Sequence, residues 1–232
     1  SGATSCAGAD PASTVAVSQT PGDDAHLREH TLHSEDLLQG HFLHIKRDTV
    51  RLPGGEQTTR EYVVHPGAVM VVALFDDGRV LLERQFRYPM QRVMIEFPAG
   101  KLDAGESSLR CAQRELQEET GYQAREWARA GVLHPVISYA TEFIDIWFAR
   151  ELTAGERQLD AGEFLDVFSA SADELLLAIF SHLSPKDLYL AACVCATWRR
   201  VASDDHLWIQ KWSAPAMCSP LGACRCPALS VT

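Results

Sequence analysis

The sequence has no long apolar run and no excess of positively charged residues. None of its 232 residues belongs to an uncharged apolar stretch approaching the roughly 18 residues that a membrane-spanning helix needs. The first residues also lack the basic and apolar segments of a secretory signal. The net charge is −10, and residues 171–232 hold five acidic and five basic residues, so the acidic excess lies before them. We therefore expect neither a membrane span nor general nucleic-acid binding, which needs excess Lys and Arg at phosphates.

A disulfide framework is missing as well. The seven cysteines are scattered rather than evenly and closely spaced, which favours a reducing, cytoplasmic location. The three nearest the C-terminus are Cys218, Cys224 and Cys226. They have no second pair at zinc-finger spacing, so zinc is the minor alternative there. His26, His30 and His33 stand at near-helical spacing in a polar segment, which is typical of a solvated surface cluster.

Composition divides the chain into four parts. Residues 1–24 are rich in Ala, Ser, Thr, Gly and Pro without periodicity, which predicts a disordered leader. Residues 25–170 form the main domain, residues 171–212 a small helical module, and residues 213–232 a loose tail. Strands on both sides of one central helix indicate an α/β domain.

Apolar periodicity and turn residues predict the individual elements. A hairpin is expected over residues 41–64, around a Pro53-Gly54-Gly55 turn, and two strands over residues 68–75 and 79–86 are expected to pair through an Asp-Gly turn. The helix capped by Ser107 or Ser108 should end at Gly121. Further strands are predicted at residues 95–99, 130–134, 142–149 and 163–168. Three helices are predicted at residues 172–183, from 184 to 195 or 198, and at 204–212.

The central helix carries a cluster of carboxylates. Glu115, Glu118 and Glu119 are spaced i, i+3 and i+4, so they share one helical face. Like charges on one face destabilise a helix unless a cation compensates them, and magnesium prefers such oxygen ligands. Arg114 can pair with Glu106 and hold the preceding loop against the helix. Most Glu clusters are simply solvated helix faces, and that is the alternative interpretation here.

The surrounding spacing decides between these interpretations. Five residues separate a glycine from a glutamate, and seven more precede an Arg-Glu-aliphatic-x-Glu-Glu-x-Gly-hydrophobic run. The matching positions are Gly100, Glu106, Arg114, Glu115, Leu116, Glu118, Glu119, Gly121 and Tyr122. This pattern resembles the Nudix box. The resemblance implies a Nudix α/β/α sandwich with a mixed sheet and hydrolysis of a nucleoside diphosphate linked to another group.

Residues 41–168 resemble the ADP-ribose pyrophosphatase branch of that family. The resemblance rests on three segments, which are residues 60–67 (REYVVHPG), 83–88 (ERQFRY) and 96–100 (EFPAG). It implies hydrolysis of ADP-ribose, or a related nucleotide sugar, to AMP and ribose 5-phosphate by water that magnesium activates, with manganese as an alternative. Homodimers with exchanged N-terminal strands are common in this branch, and Arg60 would then serve the partner's site.

The same resemblance assigns roles to individual residues. Glu115, Glu118 and Glu119, with the backbone carbonyl of Ala99, would hold the metal. Arg87 would contact phosphate. Arg60 would contact the adenosine side, and Glu61 would join the substrate contacts. Gly100, Glu106, Arg114 and Gly121 would shape the box. The general base would come from residues 159–164, where Glu163 is the first choice and Asp160 or Glu142 are alternatives.

Residues 172–212 resemble an F-box, the module that docks on a Skp-type adaptor of a cullin ubiquitin ligase. The resemblance rests on Leu175-Leu176, Ile179-Phe180, Pro185, Trp198-Arg199 and Leu207-Trp208. The usual Leu-Pro opening is replaced by Ser171-Ala172. The alternative is that residues 172–183 form only the helix that closes a Nudix domain. Two functions follow: a hydrolase with a small-molecule substrate, and a ligase adaptor that uses the Nudix domain for recognition. The intact carboxylate set favours the hydrolase.

Overall fold

The computed structural model describes residues 24–212, without the side chains of residues 210–212. The predicted leader, the predicted tail and the zinc alternative at its cysteines fall almost wholly outside this range. Within it the chain forms ten β-strands and five α-helices. The strands are β1 (His30–Gln39), β2 (His44–Arg51), β3 (Gln57–Val64), β4 (Ala68–Ala73), β5 (Val80–Arg87), β6 (Arg92–Glu96), β7 (Ala99–Lys101), β8 (Tyr122–Leu133), β9 (Ile144–Ala154) and β10 (Leu165–Ala170). The helices are α1 (Ser108–Thr120), α2 (Ala172–Phe180), α3 (Pro185–Ala191), α4 (Ala196–Ala202) and α5 (Asp205–Trp212). No described helix is long and apolar enough to cross a membrane.

Contacts divide these residues into two units, the first comprising residues 24–64 with residues 138–140. It contains an antiparallel sheet of order β1-β2-β3. The predicted hairpin is confirmed, with Leu52 N donating to Glu56 O at 2.8 Å and Gly55 at φ +97° in the turn. Strand β1 was not predicted. Its residues do not alternate between apolar and polar as those of a half-buried strand do, and all of them are exposed. His30 and His33, expected in a solvated surface cluster, are exposed on this strand.

The second unit comprises residues 65–137 and 141–212. It has a four-stranded sheet of order β7-β4-β9-β8, in which β4 and β9 are parallel, and an antiparallel sheet of order β10-β5-β6. The main core joins Val69 and Val71 of β4 and Leu81 of β5 to Cys111 and Leu116 of α1. The predicted α/β class with a mixed sheet is confirmed.

The predicted β4–β5 hairpin is wrong beyond its turn. Phe75 N donates to Arg79 O at 2.9 Å and Gly78 takes φ +82°, but the pairing stops at a single bridge between Leu74 and Val80. Both edges of β4 are already hydrogen-bonded, one to β7 and the other to β9. Strand β5 therefore enters the other sheet.

The prediction of one strand at residues 95–99 is also wrong, because this part of the chain forms two separate strands, β6 and β7. Phe97 and Pro98 stand between them. Pro98 has no N–H to donate to a ladder, and its carbonyl instead accepts from Val71 N at 2.8 Å. This break brings Ala99 and Gly100 beside β4 and under α1.

The C-terminal region forms four helices rather than the predicted three. The helix that begins at Ser184-Pro185 ends at Ala191, and α4 starts after Cys195. The side chains of Phe180, Leu188, Val201 and Leu207 form a core of their own. Helix α2 also packs Leu175 against Val80, Leu82 and Ala170 of the β10-β5-β6 sheet, so it belongs to two cores. The boundary at residues 170/171 stays a prediction, since the helices lie in the same unit as the sheets.

Candidate active site

Helix α1 positions the predicted carboxylates and begins and ends where the sequence indicated. The Ser107 hydroxyl accepts from Arg110 N at 3.4 Å. Gly121 takes φ +77° and donates its N–H to Gln117 O at 2.8 Å. A side chain at Gly121 would also approach within 3.0 Å of Gly155 O. Glycine is therefore required there both by the left-handed turn and by the close passage of the chain.

The carboxylates of α1 lie in different environments although they share one face. Glu119 is only 4% exposed, and its Oε2 accepts from Ala99 N at 2.9 Å. Glu115 has 12% of its side chain exposed, and Glu118 has 36%. Burial raises the pKa of Glu119 to about 9, with further contributions from the charges of Glu83 and Glu115. Burial also raises the pKa of Glu115.

Arg114 ties this helix to the loop before it, as predicted. Its Nη2 lies 2.9 Å from Glu106 Oε2, and its Nε lies 3.1 Å from Glu106 Oε1. Its Nη1 lies 2.8 Å from Glu115 Oε1 and 3.0 Å from Glu118 Oε2. The paired hydrogen bonds from Arg114 lower the pKa of Glu106 to about 2. One guanidinium therefore compensates three carboxylates.

Gly100 leaves the space that Glu115 occupies. A Cβ at Gly100 would lie 1.9 Å from both Cδ and Oε1 of Glu115. Any side chain there would overlap the carboxylate. The predicted requirement for glycine at this position thus has a direct steric cause.

Glu83 is a further carboxylate of the cluster that the sequence reasoning missed as a site residue. It is 0% exposed, and within residues 24–212 neither of its carboxylate oxygens has a hydrogen-bond partner. Burial raises the pKa of Glu83 to about 7, with the charge of Glu96 as the next cause. The signal was present, because a glutamate directly follows the apolar residues Val80-Leu81-Leu82 in a strand.

Arg87 lies beside this cluster, on the same side of β5 as Glu83. Its Nε and Nη2 bind the two oxygens of Glu96 at 2.8 and 2.7 Å. The hydrogen bonds to Glu96 raise the pKa of Arg87, so the guanidinium stays charged. It is the cation of β5 that faces the carboxylates.

The three candidates for a general base are placed differently. Glu163 stands in a turn in which its N–H donates to Asp160 O at 3.0 Å, and its charge raises the pKa of Glu83, Glu115 and Glu119. Asp160 is exposed, and its N–H lies 3.4 Å from Glu163 Oε2. Glu142 is partly exposed and lies just before β9. The negative charge of Glu163 therefore acts on the carboxylate cluster.

The predicted substrate contacts Arg60 and Glu61 belong to the first unit. Arg60 Nη2 lies 2.5 Å from Glu29 Oε1, and Glu61 Oε1 lies 2.7 Å from Arg47 Nη2. Both side chains are therefore engaged within their own unit.

The donor set suits a hard divalent cation. The carboxylates outnumber the guanidinium groups beside them, which are those of Arg87 and Arg114, and both oxygens of Glu83 lack a hydrogen-bond partner in the described part of the chain. Across residues 24–212, no three His, Cys, Asp or Glu side chains stand close enough together to hold a cation as they are arranged. Arg114 holds Glu115 and Glu118, while Ala99 holds Glu119. These residues can supply oxygen ligands once the pairing with Arg114 is exchanged for a metal.

Comparison with known proteins agrees with this geometry. The NUDIX domain family matches residues 64–190, an F-box-like family matches residues 173–212, and the nucleoside diphosphate sugar hydrolase N-terminal domain matches residues 29–63. An ADP-ribose pyrophosphatase of Bacillus subtilis (strain 168) is 37% identical over 67% of this chain and 85% of its own length. A methanol dehydrogenase activator of Bacillus methanolicus is 35% identical over 73% of this chain and 91% of its own.

A solved structure shares the fold. The crystal structure of an ADP compounds hydrolase superposes with a TM-score of 0.59 at 22% identity, covering 81% of this chain and 97% of its own. The NUDIX match spans more than half of the sequence and includes every position of the box. The chain belongs to the Nudix family of hydrolases, and its C-terminal helices match an F-box-like module.

Proposed function

We propose that the chain hydrolyses the diphosphate of ADP-ribose to AMP and ribose 5-phosphate, or that of a related nucleoside diphosphate sugar to the nucleoside monophosphate and the sugar phosphate. The observation that carries this proposal is the buried carboxylate cluster, with Glu115 seated over Gly100 and Glu119 fixed by Ala99. The similarity to a relative named as an ADP-ribose pyrophosphatase supports the choice of substrate.

The cation is proposed to be magnesium, with manganese as a substitute. Glu115, Glu118, Glu119 and the carbonyl of Ala99 would hold it. When bound, it neutralises diphosphate charge and acidifies a water molecule. Arg114 then serves to keep Glu115 and Glu118 in place before metal arrives, because it already contacts both.

Other residues of the chain would bind substrate and move the proton. Arg87 can exchange its bidentate contact with Glu96 for a phosphate, which guanidinium groups bind in the same geometry. Glu163 is proposed to take the proton from the attacking water, since its charge acts on the same three carboxyls. Arg60 and Glu61 would contact the nucleoside.

The first test is turnover of ADP-ribose and a panel of nucleoside diphosphate sugars with magnesium, with a phosphatase coupled to the phosphomonoester products. Glu119→Gln should lower kcat/KM by about 100-fold or more, because it removes a charge that would hold the cation. Glu126→Gln, an exposed position on β8, is the matched control and should act as wild type. Unchanged turnover in Glu119→Gln would refute the proposed site. If the wild-type chain turned over none of the substrates, the proposed hydrolase activity would be refuted.

A second candidate function is favoured by the helical module. Its core is formed by its own residues, while Tyr189, Leu190 and Val194 stay exposed. As an F-box it would dock on a Skp-type adaptor. Co-purification of the full chain with such an adaptor tests this function, and the absence of a complex at micromolar concentration would refute it.

We also infer a homodimer in a reducing, cytoplasmic location. Support for the dimer comes from exposed apolar side chains on the first unit, among them Leu32, Leu38 and Phe42. The free cysteines of the described residues, Cys111, Cys193 and Cys195, agree with a reducing compartment. Light scattering of the purified chain would distinguish a dimer from a monomer.

A further inference from the structure

Glu83 is a fully buried carboxylate whose burial no hydrogen bond from the described residues compensates. It has no exposed surface, and both of its carboxylate oxygens lack a hydrogen-bond partner in the described part of the chain. A buried carboxylate without a partner is costly, and native proteins generally pair such groups or use them to bind metals. Strand β5 could have placed an apolar residue here, as it does at Leu81 and Leu82.

The groups that face Glu83 are mostly acidic. Glu96 is its direct partner across the β5–β6 pair. Glu115 and Glu119 face it from α1, and Glu163 faces it from the turn before β10. Arg87 is the facing cation, and its Nε and Nη2 donate to the two oxygens of Glu96 rather than to Glu83.

Glu83 is also closely associated with one proposed metal ligand. Among the neighbouring charges, that of Glu83 raises the pKa of Glu119 the most, ahead of the charge of Glu115 in the same helix as Glu119. Glu119 itself is held by Ala99 N. Glu83 stands on strand β5 and Glu119 on helix α1, and no hydrogen bond from residues 24–212 compensates the carboxylate of Glu83.

We propose that Glu83 is an additional oxygen ligand of the divalent cation site, acting together with Glu119. This inference rests on the proposed metal-dependent hydrolysis. A hard cation takes six or more oxygens, so the box carboxylates leave positions for a further carboxylate, for substrate phosphate and for water. A cation between Glu83 and Glu119 would supply the partner that both oxygens of Glu83 lack.

Manganese binding to the full chain tests this proposal directly. Metal-free wild type, Glu83→Gln and Glu83→Leu would be titrated with Mn²⁺, with free Mn²⁺ counted by electron paramagnetic resonance. Both variants should bind at least about 10-fold more weakly, or bind one ion fewer, because they lose a charged ligand. Asp166→Asn is the control, since Asp166 pairs with Arg84 on the other face of the same sheet.

The rise in Tm on adding Mn²⁺ gives a readout that does not depend on turnover. It should be smaller in both Glu83 variants than in wild type, while the metal-free variants are at least as stable as the metal-free wild type. The Leu variant keeps the test informative if the Gln variant folds poorly, because it buries no polar atom.

The outcomes separate this inference from the proposed function. Wild-type affinity, ion number and Tm shift in both variants would overturn the role of Glu83 while leaving the hydrolase intact. Failure of wild type to bind Mn²⁺ at all would overturn both. Weakened Mn²⁺ binding in a protein that does not cleave ADP-ribose would support Glu83 as a ligand and refute the proposed substrate.

Discussion

Substitution of Gly100 by alanine isolates the steric requirement of the site. Gly100 does not have a positive φ, so its backbone accepts alanine without strain. The added Cβ, however, would lie 1.9 Å from Cδ and Oε1 of Glu115 and 2.4 Å from its Oε2. The whole effect of Gly100→Ala should therefore come from the carboxylate that the methyl group displaces.

The distance sets the expected size of this effect. Ordinary contact begins at 3.4 Å, so the Glu115 carboxylate must move by about 1.5 Å. A misplacement of about 1 Å costs roughly 100-fold in rate. We therefore expect kcat/KM for ADP-ribose to fall at least about 100-fold, equal to about 2.7 kcal/mol of barrier. Overpacking should also lower the free energy of unfolding by about 1–3 kcal/mol.

Gly105→Ala is the matched control in the same loop. Gly105 takes φ +79°, and a Cβ there meets no atom within 4 Å. The control should lose about 1–2 kcal/mol of stability from backbone strain but keep its turnover. Magnesium-dependent release of AMP and urea unfolding, measured on both variants, give the comparison. Turnover of Gly100→Ala within about threefold of wild type would refute the steric reasoning.

Three further predictions concern charge and packing. Glu106→Gln should lower the free energy of unfolding at pH 7 by roughly 1–2 kcal/mol, allowing for solvent screening. Because the pKa of Glu106 is lowered from 4.5 to about 2, the stability difference between wild type and variant should shrink in urea titrations as the pH falls through that range. For Glu83 the sign is reversed, because its pKa is raised from 4.5 to about 7 and the folded state keeps a proton that the unfolded state releases. Metal-free wild type should therefore lose roughly 3 kcal/mol relative to Glu83→Gln between pH 4.5 and 7 in urea unfolding with a chelator, and a pH-independent difference would contradict this. Leu188→Ala should destabilise the helical module by about 2–5 kcal/mol, seen as faster hydrogen exchange in α3–α5, without loss of ADP-ribose turnover.

The double role of α2 bears on both candidate functions. The NUDIX and F-box-like matches overlap over residues 173–190, which contain α2. Leu175 packs with the β10-β5-β6 sheet, whereas Phe180 packs with α3 and α4. A capping box between Ser171 and Glu174 starts the helix, and Glu174 also lies 3.6 Å from Arg79 next to β5. The helix that packs on the sheet of the Nudix domain is thus also the first helix of the F-box-like match, and each interpretation of residues 172–183 describes part of it.

The local elements of the site were readable from the sequence. The caps Ser107 and Gly121, the i, i+3, i+4 spacing on α1 and the pairing of Arg114 with Glu106 all follow from contacts within a few turns of chain. Such features depend on backbone geometry that nearby residues determine. The box was identified in the same way, because all of its positions lie within one short segment of the sequence. The hairpin of β2 and β3 was predictable because its turn residues lie between its strands.

The tertiary structure decided how distant segments meet. Pairing of β4 with β7 and β9 directed β5 into the other sheet, which turned Glu83 from a residue of an apolar strand into part of a carboxylate cluster. It also put Glu115 over Gly100 and let the charge of Glu163, from a turn far along the chain, raise the pKa of Glu115. The sequence by itself thus determined the box and its helix, because capping and side-chain periodicity are local. Which further acids join them depends on strand order and burial, which are properties of the folded chain as a whole.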